Sequence, residues 1–592
     1  MIDLTEAESV DSDINSEEKL ANVPDKYLSN DSKRPLLLVN ADGSQSKYAL
    51  NPLLYCVLFI LVIELLERFS YYGLLNSQLE YLVGGYNPEW NANMTSVDAS
   101  SFVSGSVALG MTAPFIGGVL ADGLFGDYWG IIFGTSCLYI PGLLIIALCS
   151  YPYLLGDSFD VNALRAGMLV LWPLGMGFIK SIVNVFGAKQ YHPKLQSDLI
   201  ESYYISFYIV INIGSLLGGL VIPIVAQYTV AIAYTIPVAA LALGLIIFCL
   251  GSRRYVKAKP DRKALWTSLR VLASPLFTCK KIDSNKESNG GQIKDTYVDG
   301  LKNLLLVFPA TCLILPFSLV YNQMTTVFIV QGLAMRSVGF VDRKSTKCSC
   351  YLSNVIHISS SLLLTCMDTA SVISNIDSLS VLINGAIYQW LICPGLKKRG
   401  KSLKTTHKFA IGTFLGALSI LSAVLVDYKI HSEIDKGNGP NTINIFWQTI
   451  SYYFVGAGEI LTVSCAYDLA FTIAPKEQKG LASGINLFVF GGLSNFIGIA
   501  LMNGCSKWFP IDPTDPIDYP DAKLYNYFWV LFGIAIGGII FNFLPPVSKW
   551  IERIRDDAIE LNTNQGRDAE TKSSVSSLSS ESSSSYILYS DL

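Results

Sequence analysis

Twelve runs of apolar residues follow one another along the chain, and each is long enough to span a lipid bilayer. A helix that crosses the hydrocarbon core needs about 20 predominantly apolar residues. The runs cover residues 52–75, 101–121, 130–150, 166–187, 202–225, 230–250, 304–332, 374–394, 409–427, 444–472, 482–503 and 523–546. This pattern predicts an all-α membrane protein with twelve transmembrane helices, of which the eighth has the weakest apolar signal.

Polar and basic segments lie before, between and after two groups of these runs, so the chain divides into five predicted regions. The polar, acidic segment 1–50 and the Ser-rich segment 549–592 have the composition of disordered tails. Between them we expect an N-terminal six-helix bundle over 51–250, a basic linker over 251–302 and a C-terminal six-helix bundle over 303–548. Two six-helix halves joined by a linker resemble the layout of major-facilitator transporters.

The distribution of lysine and arginine predicts the orientation in the membrane. Segment 251–302 is rich in basic residues, whereas the loop 82–100 has none. Because basic loops remain in the cytoplasm, both tails and the linker are predicted to be cytoplasmic in a multi-pass plasma-membrane protein. The sequon Asn93-Met94-Thr95 then lies outside, where it could accept a glycan.

The overall composition excludes several classes of function. Hydrophobic residues make up 51% of the chain and charged residues 15%, and the net charge is −4, so there is no basic field to hold nucleic acid. No nucleophile–base pair, metal cluster or phosphate-binding loop is recognisable, so we expect neither an enzyme nor a cofactor. The predicted partners are the lipid bilayer, a small solute and protons, with the monomer as the working unit.

Charged residues occur in the middle of the first run. Each of Glu64, Glu67 and Arg68 costs roughly 2.5–3.5 kcal/mol at mid-bilayer. On a helix these three residues, with Tyr71 and Tyr72, fall within one arc of roughly 140°. One reading is a structural ion pair that locks this helix to a neighbour. Two acids and one base leave an excess acid, however, which favours the alternative reading of a proton carrier.

Two further ionisable residues lie deep in later runs. Lys180 is the basic residue of the fourth run, and Glu459 lies in the middle of the tenth, directly after two glycines at 456 and 458 that allow close helix approach. The N-terminal half therefore presents cations, Arg68 and Lys180, and the C-terminal half presents an anion. That charge pattern suits a dipolar solute such as an amino acid or a short peptide, whose backbone groups the amides of Asn212, Asn322 and Gln323 could bind.

Several segments resemble the proton-coupled oligopeptide transporters. ELLERFSYYG at 64–73 matches the family motif ExxERFxYYG at every defined position. FYIVINIGSLLGG at 207–219 matches the helix-five signature FYxxINxGS, and YNQM at 321–324 resembles a helix-seven motif of fungal members. Residues 458–475 resemble the helix-ten glutamate segment. The resemblance covers about 50–550, and the polar tails favour a fungal di- and tripeptide transporter.

This resemblance implies a major-facilitator fold that imports di- and tripeptides together with protons. Carried onto this chain, Arg68 and Lys180 would hold the peptide carboxylate, and Glu459 its amino terminus. Tyr71 and Tyr72 of the helix-one motif would face the substrate and could bind its backbone groups. Asn212, with Asn322 and Gln323, would bind the peptide backbone. Glu64 and Glu67 would exchange protons or pair with Lys180.

The chain departs from the family pattern at three single positions. Asn322 stands where many members have an acid, so proton coupling must depend on Glu64, Glu67 and Glu459. Asp127 stands where many members have a basic residue, and Lys189 replaces a usual acid.

Residues 337–370 match nothing in the family pattern. They insert where the loop between helices seven and eight is usually short. This segment is either a true extracellular loop or a retained intron in the gene, and sequencing of the transcript separates the two.

Two other functions remain open at this stage. A related carrier of nitrate or another small nitrogen compound would have no use for Glu459. A receptor that binds peptide without moving it would signal but would not accumulate its ligand.

Overall fold

The structure is a computed structural model that describes most of the chain. The described residues are 23–39, 45–120, 124–193, 195–257, 282–293, 295–336, 370–392, 395, 398–399, 403–474, 479–512 and 518–560. The insert predicted over 337–370 lies outside them except for its last residue. So do 561–592 of the predicted C-terminal tail, 258–281 of the linker and 1–22 of the N-terminal tail.

Twelve helices correspond to the predicted apolar runs. They are α1 Leu58–Leu82, α2 Ser96–Leu120, α3 Asp127–Cys149, α4 Val161–Ala188, α5 Ser197–Tyr228, α6 Val230–Leu250, α7 Tyr297–Leu333, α8 Ile376–Ile387, α9 Thr405–Asp435, α10 Ile445–Ile473, α11 Leu481–Gly504 and α12 Leu524–Phe543. Within the described residues, ten are long and apolar enough to cross a membrane. The exceptions are α1, which carries several charged residues, and α8, which has 12 residues. The predicted all-helical membrane fold is confirmed.

Local sequence signals set where several helices begin. Pro52 precedes the first turn that leads into α1, a position where its missing N–H is no loss. The Asp160 carboxylate caps α4 by accepting hydrogen bonds from the amides of Asn162 and Ala163. Gly126, with φ of 73°, turns the chain into α3, so that Asp127 occupies the first turn of that helix.

The contacts divide the chain into two compact units. Unit 1 consists of Met1–Ser77 and Ile116–Asp261, and so contains α3 to α6 and most of α1. Unit 2 consists of Gln78–Phe115 and Arg262–Leu592, and so contains α7 to α12. Most of α2 belongs to unit 2 by its contacts, whereas the sequence division placed it in the N-terminal bundle. The division into six plus six helices stays a prediction.

Small residues bring the helices of unit 1 close together. A Cβ atom at Gly214 of α5 would lie 2.6 Å from the carbonyl oxygen of Leu65 and 2.8 Å from the Cβ of Arg68, both in α1. At Gly175 of α4 a Cβ would collide with the backbone of Tyr139 in α3. Glycine at these positions therefore sets α1, α3, α4 and α5 side by side.

Part of the predicted N-terminal tail is folded. Strand β1 (Leu36–Val39) pairs antiparallel with β2 (Gln45–Tyr48), with Leu36 opposite Tyr48. The hairpin packs on the loop between α4 and α5, where the His192 ring lies 5.2 Å from that of Tyr48. The Gln196 amide donates hydrogen bonds to two carbonyls that follow β2. In these residues the structure differs from the prediction of disorder over 1–50, because tertiary contacts order a segment of polar composition.

The described end of the predicted linker carries exposed ion pairs in unit 2. Lys286 lies 2.7 Å from Asp299, and Asp283 contacts Lys302. A hydrogen bond from Lys302 holds the pKa of the Asp283 carboxyl below its usual value. These pairs are solvent-exposed, so they contribute little to stability.

Helix α7 of unit 2 is interrupted near its middle. A tight 3₁₀ turn spans Asn322–Thr325, and Thr326 has non-helical backbone angles of −130° and −97°. The hydroxyl of Tyr452 in α10 donates to the carbonyl of Met324 at 3.1 Å, which supports the backbone at this break. Interrupted helices in transporters are tolerated where neighbouring side chains satisfy the freed backbone groups.

Candidate functional site

Three charged side chains of α1 form one buried group in unit 1. The Nε of Arg68 donates a hydrogen bond to Oε1 of Glu64 at 2.8 Å and also lies 2.8 Å from Oε2 of Glu67. Glu67 is fully buried and Arg68 is 6% exposed. The second contact is an ion pair without hydrogen-bond geometry, and Oε2 of Glu64 is also buried without a hydrogen bond. One guanidinium therefore contacts two carboxylates, whereas the sequence predicted only the Glu64–Arg68 pair on this helix face.

Aromatic side chains enclose this group on the side of α3 and α4. The hydroxyl of Tyr139 donates to Oε1 of Glu67 at 3.1 Å. Nζ of Lys180 lies 4.1 Å from the ring centroid of Tyr71, in cation–π geometry. Tyr71 in turn stacks on Trp172 at 5.8 Å between ring centroids. Lys180 is thus held beside the charged group of α1 through an aromatic ring.

The remaining predicted residues of unit 1 lie at the margin of this group. Tyr72 is half-buried and makes an edge contact with Tyr71 at 5.0 Å. Asn212 is half-buried on α5, and its amide donates to the carbonyl of Tyr208 one turn earlier. Asn212 precedes Gly214 by two residues, so it lies on a different face of α5 from the glycine that contacts α1. Its role toward a solute stays a prediction.

Unit 2 contains a second acidic group, in which Glu459 of α10 is joined by Asp377 of α8. A Cβ atom at Gly456 would lie 2.7 Å from both the carbonyl oxygen and Oδ1 of Asp377. Glu459 lies three residues further along α10, on the same face of the helix. The Asp377 side chain therefore faces the turn of α10 that carries Glu459. Neither has a cationic partner among the described residues of the chain.

The glycines beside Glu459 have the role that the sequence predicted. At Gly458 a Cβ atom would lie 2.7 Å from the carbonyl oxygen of Gly412 in α9 and 2.7 Å from the ring of Phe317 in α7. Together with Gly456, which faces α8, Gly458 lets three helices approach α10 around the glutamate.

The two amides at the break of α7 are engaged within unit 2. Asn322 donates to the hydroxyl of Ser494 in α11 at 3.0 Å. Gln323 donates to the carbonyl of Leu319 at 2.6 Å and accepts from the hydroxyl of Tyr527 in α12 at 3.3 Å. These contacts stabilise the interrupted helix. The assignment of both residues to solute binding stays a prediction.

The two charge departures from the family pattern compensate one another. Nζ of Lys189, at the end of α4, lies 2.7 Å from Oδ2 of Asp127, at the start of α3. Lys189 is 42% exposed in its side chain, whereas that of Asp127 is 9% exposed. The two residues that depart from the family pattern therefore neutralise one another as an ion pair between the helix ends.

Sequence reasoning missed Tyr139, Trp172 and Asp377. The first two lie in apolar runs, where an aromatic residue gives no sign that it faces a charged neighbour. Asp377 had a usable signal, since it is an acid inside the weakest of the twelve apolar runs. An acid at that depth marks a functional candidate in a membrane protein.

The all-helical fold matches that of solved membrane proteins of the major-facilitator type. The crystal structure of the POT family transporter PepTSo matches with a TM-score of 0.62 and 19% identity, covering 84% of this chain and 98% of that one. At this identity the likeness shows the fold.

The chain belongs to the POT family, the proton-coupled oligopeptide transporters. The family model described as POT family matches residues 128–342 and 367–512, more than half of the chain. It leaves out 343–366, which lies within the segment that the sequence analysis set apart from the family pattern. The protein is therefore a multi-pass membrane transporter and not an enzyme.

Curated relatives of the chain are distant in sequence. Protein NRT1/PTR FAMILY 8.2 of Arabidopsis thaliana is 25% identical over 562 residues, covering 84% of this chain and 92% of the relative. Peptide transporter PTR2 of Saccharomyces cerevisiae is 23% identical over 518 residues, covering 81% and 76%. Solute carrier family 15 member 3 of Mus musculus is 23% identical over 558 residues, covering 84% and 92%.

Proposed function

We propose that the protein imports di- and tripeptides into the cell together with protons, by alternating access in the plasma membrane with both termini cytoplasmic. The observation that carries this proposal is the buried group on α1, where Glu64 and Glu67 both ion-pair with Arg68 and Lys180 lies beside them on the Tyr71 ring. An ion pair that served only structure would need one acid. Relatives from Saccharomyces cerevisiae and Caenorhabditis elegans are named as peptide transporters, which supports peptide as the solute. The polar tails favour a fungal member.

Proton binding to a helix-one glutamate is the proposed coupling step. Protonation of Glu64 or Glu67 removes one of the two negative charges that hold Arg68. The freed guanidinium, with Lys180, then binds the carboxylate of the peptide, because guanidinium and carboxylate form strong charge-assisted hydrogen bonds. Glu459 binds the peptide amino group, and Tyr71, Tyr72, Asn212, Asn322 and Gln323 are the further residues proposed to bind peptide.

The energetics of co-transport suit import against a gradient. A zwitterionic peptide has no net charge, so each accompanying proton carries one charge inward. A membrane potential contributes about 2.3 kcal/mol per charge per 100 mV. That energy corresponds to roughly fiftyfold accumulation of peptide, since each 1.4 kcal/mol is a factor of ten.

Uptake of a labelled dipeptide by a cell that lacks its own peptide transporters tests the proposal. We expect accumulation above the external concentration, competition by other di- and tripeptides, and acidification of the cytoplasm. The variant Glu459→Gln should abolish uptake, whereas the control Asp468→Asn should retain it. Asp468 lies on the same helix but is exposed and paired with Arg555 at 3.3 Å.

Other outcomes of the same assay identify the alternative functions. Competition by nitrate and not by dipeptides would show a carrier of small nitrogen compounds. Saturable binding without accumulation would show a receptor that does not transport. A cytoplasmic pH that stays constant during accumulation would contradict the co-transport of protons.

A further inference from the structure

Asp377 is a buried acid of unit 2 that the transport proposal does not yet use. Its Oδ1 atom is fully buried and has no hydrogen-bond partner. The side chain points at the face of α10 that carries Glu459, because Oδ1 lies 2.7 Å from the position of a Cβ at Gly456. An unsatisfied carboxyl oxygen in such a place has a free energy cost that a bound proton or ligand can offset.

The contact between α8 and α10 fixes this arrangement. Ser380 of α8 donates to the carbonyl of Tyr453 in α10 at 2.6 Å. The hydroxyl of Tyr453 donates to Asn384, one turn further along α8, at 3.4 Å. Both bonds join α8 to Tyr453, one turn before Gly456 in α10. They hold α8 against the turn of α10 on which Gly456 contacts Asp377.

The charges near the two carboxyl groups leave a proton as the simplest counter-ion. The titratable groups that face Asp377 from α10 are Glu459 and Tyr452, and neither is a base. Two ionised carboxylates at close range repel one another strongly where the surroundings are of low polarity. One proton held between them removes that repulsion and leaves a single negative charge.

We propose that Asp377 and Glu459 share one proton, and that the singly protonated pair is the form that binds the amino group of the peptide. One negative charge then meets one ammonium group. A second proton on the pair removes this attraction and releases the amino group, so Asp377 links proton binding to peptide release in unit 2. The inference rests on the proposed peptide transport, which it deepens by a second proton-binding site.

Infrared spectroscopy of the purified full-length protein tests the shared proton without any transport. We expect a carbonyl stretch of a protonated carboxylic acid at neutral pH that shifts or disappears in Asp377→Asn and in Glu459→Gln. The control Asp468→Asn should leave this band unchanged. A spectrum that is the same in wild type and in both test variants overturns the proposal.

Transport by reconstituted vesicles separates proton coupling from folding and from binding. Couplings between sites are commonly 5–150-fold, so Asp377→Asn should lose about tenfold in proton-driven accumulation of dipeptide. Counterflow, the exchange of internal for external peptide without net proton movement, should fall less than accumulation, because Glu459 alone still offers one negative charge to the ammonium group. Asp377→Glu retains the acid and should restore accumulation in part. Equal loss of both activities in a folded Asp377→Asn variant would make Asp377 a structural residue and would overturn the proposal.

The two experiments distinguish failure of this inference from failure of the proposed function. An acid band that depends on Asp377, in a wild-type protein that accumulates no dipeptide, would refute peptide transport and keep the shared proton. Accumulation of dipeptide by a wild-type protein that shows no such band would refute the shared proton and keep peptide transport.

Discussion

The two units bury their acids in different ways. In unit 1, Glu64 and Glu67 lie on the same helix as Arg68, which ion-pairs with both of them within one turn. In unit 2, Glu459 and Asp377 lie on different helices, and neither has a cationic partner in the described part of the chain. The first group carries its own counter-charge, whereas the second needs a proton or a cationic solute.

The group of acids in unit 1 is brought together by local helix geometry, whereas the group in unit 2 is brought together by tertiary packing. The group on α1 forms as soon as the helix forms, because residues three or four apart share a face. The group in unit 2 exists only where α8 and α10 approach at Gly456. Variants should therefore act on unit 1 through charge and on unit 2 through helix packing.

Arg68→Ala is expected to have the largest effect. It leaves two buried carboxylates without their cation, and breaking a buried pair in this way costs about 3–5 kcal/mol. Dipeptide uptake should be abolished, and the melting temperature of the purified protein should fall. Adding Glu67→Gln to Arg68→Ala removes one uncompensated charge and should recover much of the stability but not the uptake. Full stability of Arg68→Ala alone would contradict the electrostatic account.

Gly456→Ala is expected to have an intermediate effect, and one confined to unit 2. The new methyl group would lie 2.7 Å from atoms of Asp377 and 2.9 Å from Cβ of Ser380, so α8 must move away. Overpacking of this kind costs about 1–3 kcal/mol. Melting temperature and proton-driven uptake should both fall. Gly537→Ala in α12 is the matched control, since a Cβ there has no neighbour within 4 Å. If both substitutions lowered melting temperature and uptake equally, close packing at Gly456 would not be the cause of the loss.

Reversal of the Asp127–Lys189 pair is expected to have the smallest effect. Lys189→Asp places two acids together where the end of α4 meets the start of α3, the side of the membrane that the loop charges predict to be cytoplasmic. The repulsion between these acids should slow uptake modestly. The partly exposed pair is worth about 0.2–1 kcal/mol, far less than the buried group on α1. The double variant Asp127→Lys/Lys189→Asp restores opposite charges and should recover the wild-type uptake rate at equal surface expression. Failure of the double variant to recover would mean that the sign of each charge matters by itself.

The ion pair of Asp127 and Lys189 shows a limit of interpretation from a single sequence. Asp127 and Lys189 each broke the family pattern, and nothing in the sequence joined two residues 62 positions apart. The structure places one against the other. A similar limit applied to Asp377, because an acid in a weak apolar run gives no indication of the helix that it faces.

The sequence by itself determined the class of fold and the face of α1. Apolar runs of bilayer length and the 3.6-residue period of a helix are local properties, so the helices and the grouping of Glu64, Glu67 and Arg68 follow from residue order. Only the tertiary structure decided that Tyr139 binds Glu67, that Lys180 lies on Tyr71, and that Asp377 meets Glu459. Those contacts depend on how closely separate helices approach, and that distance is set by glycines and side-chain shape across the interface.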